Sequence, residues 1–541
     1  MKNTFKPVGI AAAVAAVTAG YAHAQTPGPL PTVSNNGFGD LALVPYYTVN
    51  EDFVTGIHII NSSDATQVVK VRMRRGADSM DALDFNLIMS PQDMWVGFIS
   101  ADGDDIVFNT QDTSCTAPAA TNGRFVMPNI YREGAEEGYL EFISMGEIDV
   151  DSPIGIASKH KAGTPMDCAA VRSNFFSIGA DYPGTAGTTA KRGVIDFQNT
   201  HQAVADAAAY GGTANGCLAE KGSTLCVNEF RDSSNALKVS YFIRDNASGV
   251  EFGGEAFHIA NFLNQASMSN QQAGLSSGDL SGFDYPDLNG GSIDGDERNV
   301  FRELRQNNVL GALSVVNDWS ANSANGVSTD WVLTMPGQYT MLDLATYTDG
   351  FDVTGVTGAE DCIDVAGIAC DNRDIPVNIN LDIYDREEGS FTPDPGDLVV
   401  SPQPPAENLQ FTLPREVNVI QWNGETGVLA SADPTEVDSD LNPLEADFGW
   451  ANVSVTSTAN PPATCTLQAF FTANGNDGSL IEQGTVTSGG AWVAPGSDGY
   501  VCSSVDGDVP VIGMVAWERQ VAANPNASYG RIVEHSYVTN S

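Results

Sequence analysis

Residues 69–74 alternate strictly: Val69, Val71 and Met73 at the odd positions, Lys70, Arg72 and Arg74 at the even ones. A period of two sends successive side chains to opposite faces, so this segment is a β-strand and not an amphipathic helix. It reads as a half-buried antiparallel strand, with the valines and methionine on a core and the cations outside. Runs rich in β-branched and apolar residues recur around it at 41–49, 54–61, 67–74, 82–89, 94–100 and 138–144. Turn formers such as Asn61, Ser62, Ser63 and Asp64 separate them. With 54 Gly and 27 Pro in the chain, the expected class is mainly β. The fold should be antiparallel β-sandwich-like domains with a few short helices and long loops.

A length of 541 residues suffices for several cores. Composition shifts suggest a division into 1–24, a Pro-rich leader at 25–36, an N-terminal β domain at 37–150, a mixed but mostly β middle at 151–400, and a C-terminal β domain at 401–541. Within the middle, 200–210 and 297–311 carry helical composition, while 237–243, 255–262 and 331–335 read as strands. Residues 387–408 are Pro-dense and read as a linker. The last part returns to short strands at 417–422, 450–455, 464–472, 499–502 and 509–517. No fixed-period repeat points to a propeller or solenoid.

The first 24 residues have the layout of an export signal. Lys2 and Lys6 precede an apolar run over 8–20, and Ala22-His23-Ala24 fits the small-x-small cleavage rule. The mature chain would begin at Gln25. No later stretch reaches the ~18 apolar residues of a transmembrane helix, so no transmembrane segment is expected once the signal is removed. The uneven spacing of the short strands also disfavours an outer-membrane barrel. The expected location is extracellular or at the cell surface, with the periplasm as the other exported compartment. Asp and Glu number 68 against 25 Lys and Arg, a formal net charge of −43, which argues against a nucleic-acid partner.

Eight cysteines, Cys115, Cys168, Cys217, Cys226, Cys362, Cys370, Cys465 and Cys502, form an even set without any Cys-x-x-Cys. In an exported chain such a set reads as disulfides. Eight cysteines allow 105 pairings; the sequential scheme, 115–168, 217–226, 362–370 and 465–502, is the one expected.

The sequence assigns no catalytic residue. Past the signal only His58, His160, His201, His258 and His535 remain, none in a paired ligand motif. Gly274-Leu275-Ser276-Ser277-Gly278 matches a nucleophile elbow in letters, but no strong strand leads into it. Asp438, Asp440 and Asn442 place three oxygen side chains at alternate positions, as in the first half of a calcium loop. Pro443 and Gly449 stand where a complete loop needs Gly and Glu. Ca²⁺ is the one cofactor such a loop would take; a solvated acidic surface is the competing and preferred reading. The cations at 70, 72, 74 and 75 read either as a landing strip for anionic glycan or lipid, or as partners of Asp78, Asp81 and Asp84; the excess of acids favours internal pairing. The seven Trp are dispersed singly, as core or sheet anchors are.

Several passages are similar to a group of uncharacterised exported proteobacterial proteins described as cell-surface proteins. They include Leu43-Val-Pro-Tyr-Tyr-Thr-Val49, the segment from Asp84 to Trp95, Asp112-Thr-Ser-Cys115, Gly138-Tyr-Leu-Glu-Phe-Ile-Ser-Met-Gly146, Thr329-Asp-Trp-Val-Leu-Thr-Met-Pro336 and Tyr384-Asp-Arg-Glu-Glu388. The resemblance implies location and transfers no active site. The expected function is a non-enzymatic surface or matrix role, structural or adhesive, with self-association or surface glycans as partners. Two alternatives stay open: a secreted hydrolase or carbohydrate-active enzyme using paired carboxylates, and a binding module for a glycan or apolar ligand.

Overall fold

The computed structural model describes residues 29–77, 79, 81–128, 132–172, 230–263, 288, 314–322, 325–337, 377–385, 409–422, 427–437, 447–458, 464–465, 485–486, 492–493, 502–503 and 510–538. In chain order the first half contributes β1 (Thr32–Val33), β2 (Leu41–Thr48), β3 (Phe53–Asn61), β4 (Thr66–Arg75), β5 (Asp81–Met89), β6 (Met94–Asp102), β7 (Asp105–Asn109), β8 (Cys115–Ala117), β9 (Arg124–Val126) and β10 (Glu137–Ile148). Then come α1 (Pro153–Ser158), β11 (His160–Lys161), β12 (Thr164–Pro165), α2 (Cys168–Arg172), β13 (Phe230–Arg231), β14 (Leu237–Asp245), β15 (Glu251–Glu255) and β16 (Phe257–Ala260). The second half contributes β17 (Ser314–Asn322), β18 (Val327–Thr334), β19 (Val377–Asp385), β20 (Leu409–Leu413), β21 (Val417–Trp422), β22 (Thr435–Val437) and β23 (Phe448–Thr458). The series ends with β24 (Thr464–Cys465), β25 (Thr485–Val486), β26 (Trp492–Val493), β27 (Cys502–Ser503), β28 (Ile512–Arg519), β29 (Tyr529–Glu534) and β30 (Ser536–Val538).

The mainly β, antiparallel expectation is met. Sheet 1 runs β1-β16-β2-β10-β4-β5-β8, with β13 also on β10, and sheet 2 runs β15-β14-β3-β6-β7-β9. Their facing surfaces bury one core: Val69, Val71, Met73, Phe85, Leu87, Leu140 and Phe142 from sheet 1, and Ile57, Ile59, Trp95, Ile99, Phe108 and Val239 from sheet 2. Each fully buried large apolar side chain there is worth roughly 1.5–3 kcal/mol.

A second ladder folds back on itself at the β17–β18 hairpin, where Ala321 pairs Ser328 and Asn322 pairs Val327. One limb, sheet 3, is β22-β21-β18-β28-β29; the other, sheet 4, is β20-β19-β23-β17 with β30 alongside β17. Trp319, Trp331 and Trp422 fill the space between them. Trp319 stacks on Trp422 at 4.8 Å between centroids, and Trp331 meets Trp422 edge-on at 5.8 Å. Three of the seven dispersed tryptophans are therefore core anchors that converge in space.

The central strands of sheet 3, β18, β21 and β28, are covered on both sides. Trp331, Leu333 and Val515 face sheet 4, whereas Val332, Met514, Ala516, Val417 and Val419 join the core of the first pair of sheets. Direct bonds seal this junction: Thr334 Oγ1 donates to the Pro45 carbonyl at 2.5 Å, and the Val417 amide donates to the Gly76 carbonyl at 2.9 Å.

Three expectations need correction or delimitation. The strand around residue 70 is not half-buried: all ten residues of β4 are buried, because its second face is covered as fully as its first. The strand expected at 255–262 is β16, Phe257–Ala260, and Glu255 instead ends a separate strand, β15, that the sequence reading did not give. β15 pairs β14 in sheet 2, and after Ala256 the chain crosses to pair β2 in sheet 1 as β16. The helices expected at 200–210 and 297–311 lie outside the described residues. The two described helices are α1, capped by Ser152 Oγ accepting from the Gly155 amide, and α2. Among the described residues no helix is long and apolar enough to cross a membrane.

Candidate functional site: a buried charge ladder, a pinned histidine and an open apolar face

The cations of β4 turn inward. Register places Leu43, Glu141, Arg72 and Asp84 in one row across β2, β10, β4 and β5. Lys70 Nζ lies 2.9 Å from Asp84 Oδ2, and Arg72 Nε lies 2.9 Å from Asp81 Oδ2. Arg74 donates twice to Glu141, at 3.1 and 3.3 Å, and once to the Ser79 carbonyl at 3.1 Å. Tyr139 donates to Glu141 at 3.3 Å. Arg75 donates to the Glu133 carbonyl at 2.8 Å. All six ionised groups of the ladder, from Lys70 to Glu141, are buried. Lys70, Arg72 and Arg74 face these three carboxylates, so mutual attraction offsets the desolvation of each, and Arg75 is buried with them. Internal pairing was the favoured reading, and Asp81 and Asp84 are the expected partners; Asp78 lies outside the described residues. Glu141 was missed. Its signal was present: a lone carboxylate between Tyr139 and Ile143 on one face of an otherwise apolar strand, Gly138-Tyr-Leu-Glu-Phe-Ile-Ser144.

A hydroxyl–imidazole–carboxylate group surrounds His160. Ser90 Oγ lies 3.0 Å from His160 Nδ1 and 3.2 Å from Asp93 Oδ2, while Thr113 Oγ1 lies 3.2 Å from His160 Nε2. Nucleophilic catalysis needs an accessible hydroxyl whose proton the imidazole takes. Thr113 is exposed, but its proton goes to the Gly163 carbonyl at 2.9 Å, so Nε2 is the donor to it. Ser90 is the hydroxyl within reach of Nδ1, and it is buried. The wiring fastens the β11–β12 hairpin to the turn after β5. The disulfide Cys115–Cys168 closes beside it.

The other cysteines divide by position. Cys465 and Cys502 stand directly opposite each other in the β24–β27 ladder, the backbone register that the expected 465–502 pair requires. Cys217, Cys226, Cys362 and Cys370 lie outside the described residues, as do Asp438, Asp440 and Asn442. Among the described residues no group of three or more His, Cys, Asp or Glu is arranged to hold a metal.

Several buried ionisable groups are displaced from their ordinary values. His535 donates from Nε2 to the Val332 carbonyl at 3.0 Å, with Asn317 Nδ2 3.0 Å from Nδ1. Burial pushes its pKa down from 6.5 to about 4. His258, whose Nε2 accepts from the Val239 amide, is likewise pushed down to about 4 by burial. Asp40 accepts from the Phe262 and Leu263 amides at 2.8 and 2.9 Å, yet burial lifts it to about 6. Glu137 at the sheet 1–sheet 3 junction is raised by burial, against the lowering pull of bonds from Tyr46 and Ser431.

The signs set a pH dependence. Each histidine is held neutral, so its contribution is complete above pH 6.5 and is lost as pH falls toward 4. The loss is of order 3 kcal/mol for each. Asp40 works oppositely, returning stability as pH falls through 6. Denaturant midpoints measured from pH 7.5 to 4.5 should therefore fall less steeply in His535→Asn than in the parent and more steeply in Asp40→Asn. An unchanged slope in His535→Asn would refute the assignment.

The outer face of sheet 2 is open. Met94, Phe98 and Val126 are 53, 42 and 39 % exposed, and Val54, Ile60, Val96 and Phe242 beside them are half-buried. Gly56 lets this face lie flat: a Cβ there would stand 2.0 Å from the Phe242 ring, which covers it. On the outer face of sheet 4, Tyr384 and Trp450 stack at 4.0 Å, and Trp450 is 42 % exposed. Comparison of the chain with known protein families, curated proteins and solved structures finds no match.

Proposed function

We propose that the protein is exported and acts without catalysis at or outside the cell surface, as a structural or adhesive component. The observation that carries this reading is the open face of sheet 2. A contiguous apolar surface on a soluble-sized fold marks a place of contact with something else. The Cys115–Cys168 bond supports the exported half of the reading, because such bonds persist where thiols oxidise. The layout of residues 1–24 and the resemblance to exported cell-surface proteins point to the same compartment. The excess of carboxylates gives a hydrated exterior suited to that setting. The acidic stretch at Asp438, Asp440 and Asn442 is where Ca²⁺ would enter, relieving repulsion between like charges. The His160 group supports the non-catalytic half: its exposed hydroxyl is committed to a carbonyl and its other hydroxyl is sealed in.

Fractionation of expressing cells with intact-mass analysis tests the reading. The expected result is recovery outside the cytoplasm of a chain beginning at Gln25. Recovery of the unprocessed chain in the cytoplasm would remove it.

A further inference from the structure

We infer that Lys70 and Asp84 condense after folding into an amide that joins β4 to β5 covalently. The bond is a modification the chain makes on itself, and it does not depend on where the protein works. Lys70 Nζ lies 2.9 Å from Asp84 Oδ2, and both side chains are fully buried. Register sets Arg72 opposite Asp84 and Lys70 opposite Asn86 on β5, with Ile143 of β10 on the other side of Lys70. Lys70 therefore reaches diagonally to the carboxyl of the neighbouring pair. Of the other described lysines, Lys159 and Lys161 are exposed and Lys238 is half-buried. A sealed amine against a sealed carboxyl is thus particular to Lys70 among the described residues. Lysine can shed its proton in such surroundings and act as a nucleophile, whereas a guanidinium stays charged. Of the ladder's cations, Lys70 is the one with this chemistry.

The step balances without a co-reactant. A proton passes from Nζ to Oδ2 along the 2.9 Å contact, turning the ion pair into an amine and a carboxylic acid. The Nζ lone pair then adds to Cγ, forming the N–C bond and pushing the carbonyl π pair onto Oδ1. As that pair returns, the Cγ–Oδ2 bond breaks, and Oδ2 leaves as water with its own proton and one from Nζ. Arg72 Nη2, 3.9 Å from the same carboxyl oxygen, polarises the carboxyl and favours the negatively charged adduct. Its Nε rests on Asp81 at 2.9 Å and its Nη1 stands 3.9 Å from Glu141, so the guanidinium is held in place. Proximity supplies the rest: well-oriented partners within one molecule reach effective concentrations of ~10⁵ M or more. Burial favours the product as well. Condensation removes two desolvated charges and leaves a neutral amide, while Arg72 keeps Asp81 and Arg74 keeps Glu141. The result is a rung between β4 and β5 that, unlike Cys115–Cys168, no thiol opens.

Tryptic digestion of the purified full chain under denaturing, reducing conditions, read by mass spectrometry, tests the inference. Trypsin should fail to cut after Lys70. The peptide that ends at Arg72 should appear joined to residues 76–124, about 18 Da below the sum of the two. Lys70→Arg keeps the cation and removes the nucleophile, and should release 76–124 as a free peptide. Free 76–124 from the parent chain, with cleavage after Lys70, overturns the inference. So does a joined species that persists in Lys70→Arg. A joined species about 17 Da below the sum overturns the assignment to Asp84, since loss of ammonia places the bond on Asn86. The parent digest decides the matter even if the variant does not fold. Fractionation reads location and the digest reads the bond, so either proposal can fail while the other stands.

Discussion

Replacing Glu141 with Leu is expected to cost about 3–5 kcal/mol of stability, the largest loss from any single position in the charge ladder. Glu141 accepts two bonds from Arg74 and one from Tyr139, and stands 3.9 Å from Arg72 Nη1. Without it, two guanidinium groups share the remaining carboxylates in an interior closed to water. Desolvation already weighs against each buried ion; the substitution keeps that cost and removes the compensating attraction. Glu141→Gln keeps the shape and one acceptor, and separates loss of charge from loss of packing. The pair Arg74→Met with Glu141→Leu should cost at least about 2 kcal/mol less than the two single losses added together, since the double change removes a charge of each sign. Urea or guanidinium denaturation of the four variants measures this. A loss below about 1 kcal/mol for Glu141→Leu would show that the ladder is not held by its pairing.

Removing the Cys115–Cys168 bond by Ser substitution at both positions should cost up to about 4 kcal/mol, the chain-entropy value for a loop of this size. The residues are 53 apart in sequence. Because the bond ties α2 to β8, the first consequence should be local. Ile154, Ala157 and Val171 of the two helices lie over Val68, Ile88, Met145 and Ile148 of sheet 1. With the bond gone, α2 keeps the packing of Val171 and Arg172 Nε donating to the Thr116 carbonyl at 2.7 Å. Hydrogen exchange should accelerate over 153–172 before the central strands respond. Uniform protection across that segment in the double Ser variant would contradict the picture. The double variant is preferable to a reductant, which would also act on the remaining cysteines.

Strands whose residues choose a face by type could be read directly. Val417–Trp422 was placed to the residue, and the alternation in β4 gave its strand character and the separation of its cations from its apolar residues, though it set those cations outside. What could not be read was how deeply the second face is buried. Alternation reports that two faces differ; it does not say that one is wet, and neutralised charges inside look like solvated charges outside until their partners are known. Ser314–Asn322 and Val377–Asp385 escaped notice because their outward positions carry Ser, Asn and Asp, which locally resemble loop composition. The change of sheet at Ala256 has no sequence mark, since it depends on where β2 and β14 stand. The open face of sheet 2 was visible only as a strand, Met94-Trp-Val-Gly-Phe-Ile99, apolar at both parities. That pattern suits a strand buried on both sides as well as one left uncovered.

Sheet 3 serves as a party wall. Its two surfaces belong to different interiors, so neither half of the molecule could be cut free without laying bare a full layer of aliphatic side chains. The halves accordingly do not swing like beads on a tether. An object anchored through the Met94–Phe98 surface and another held near Trp450 would be kept at one fixed spacing and angle.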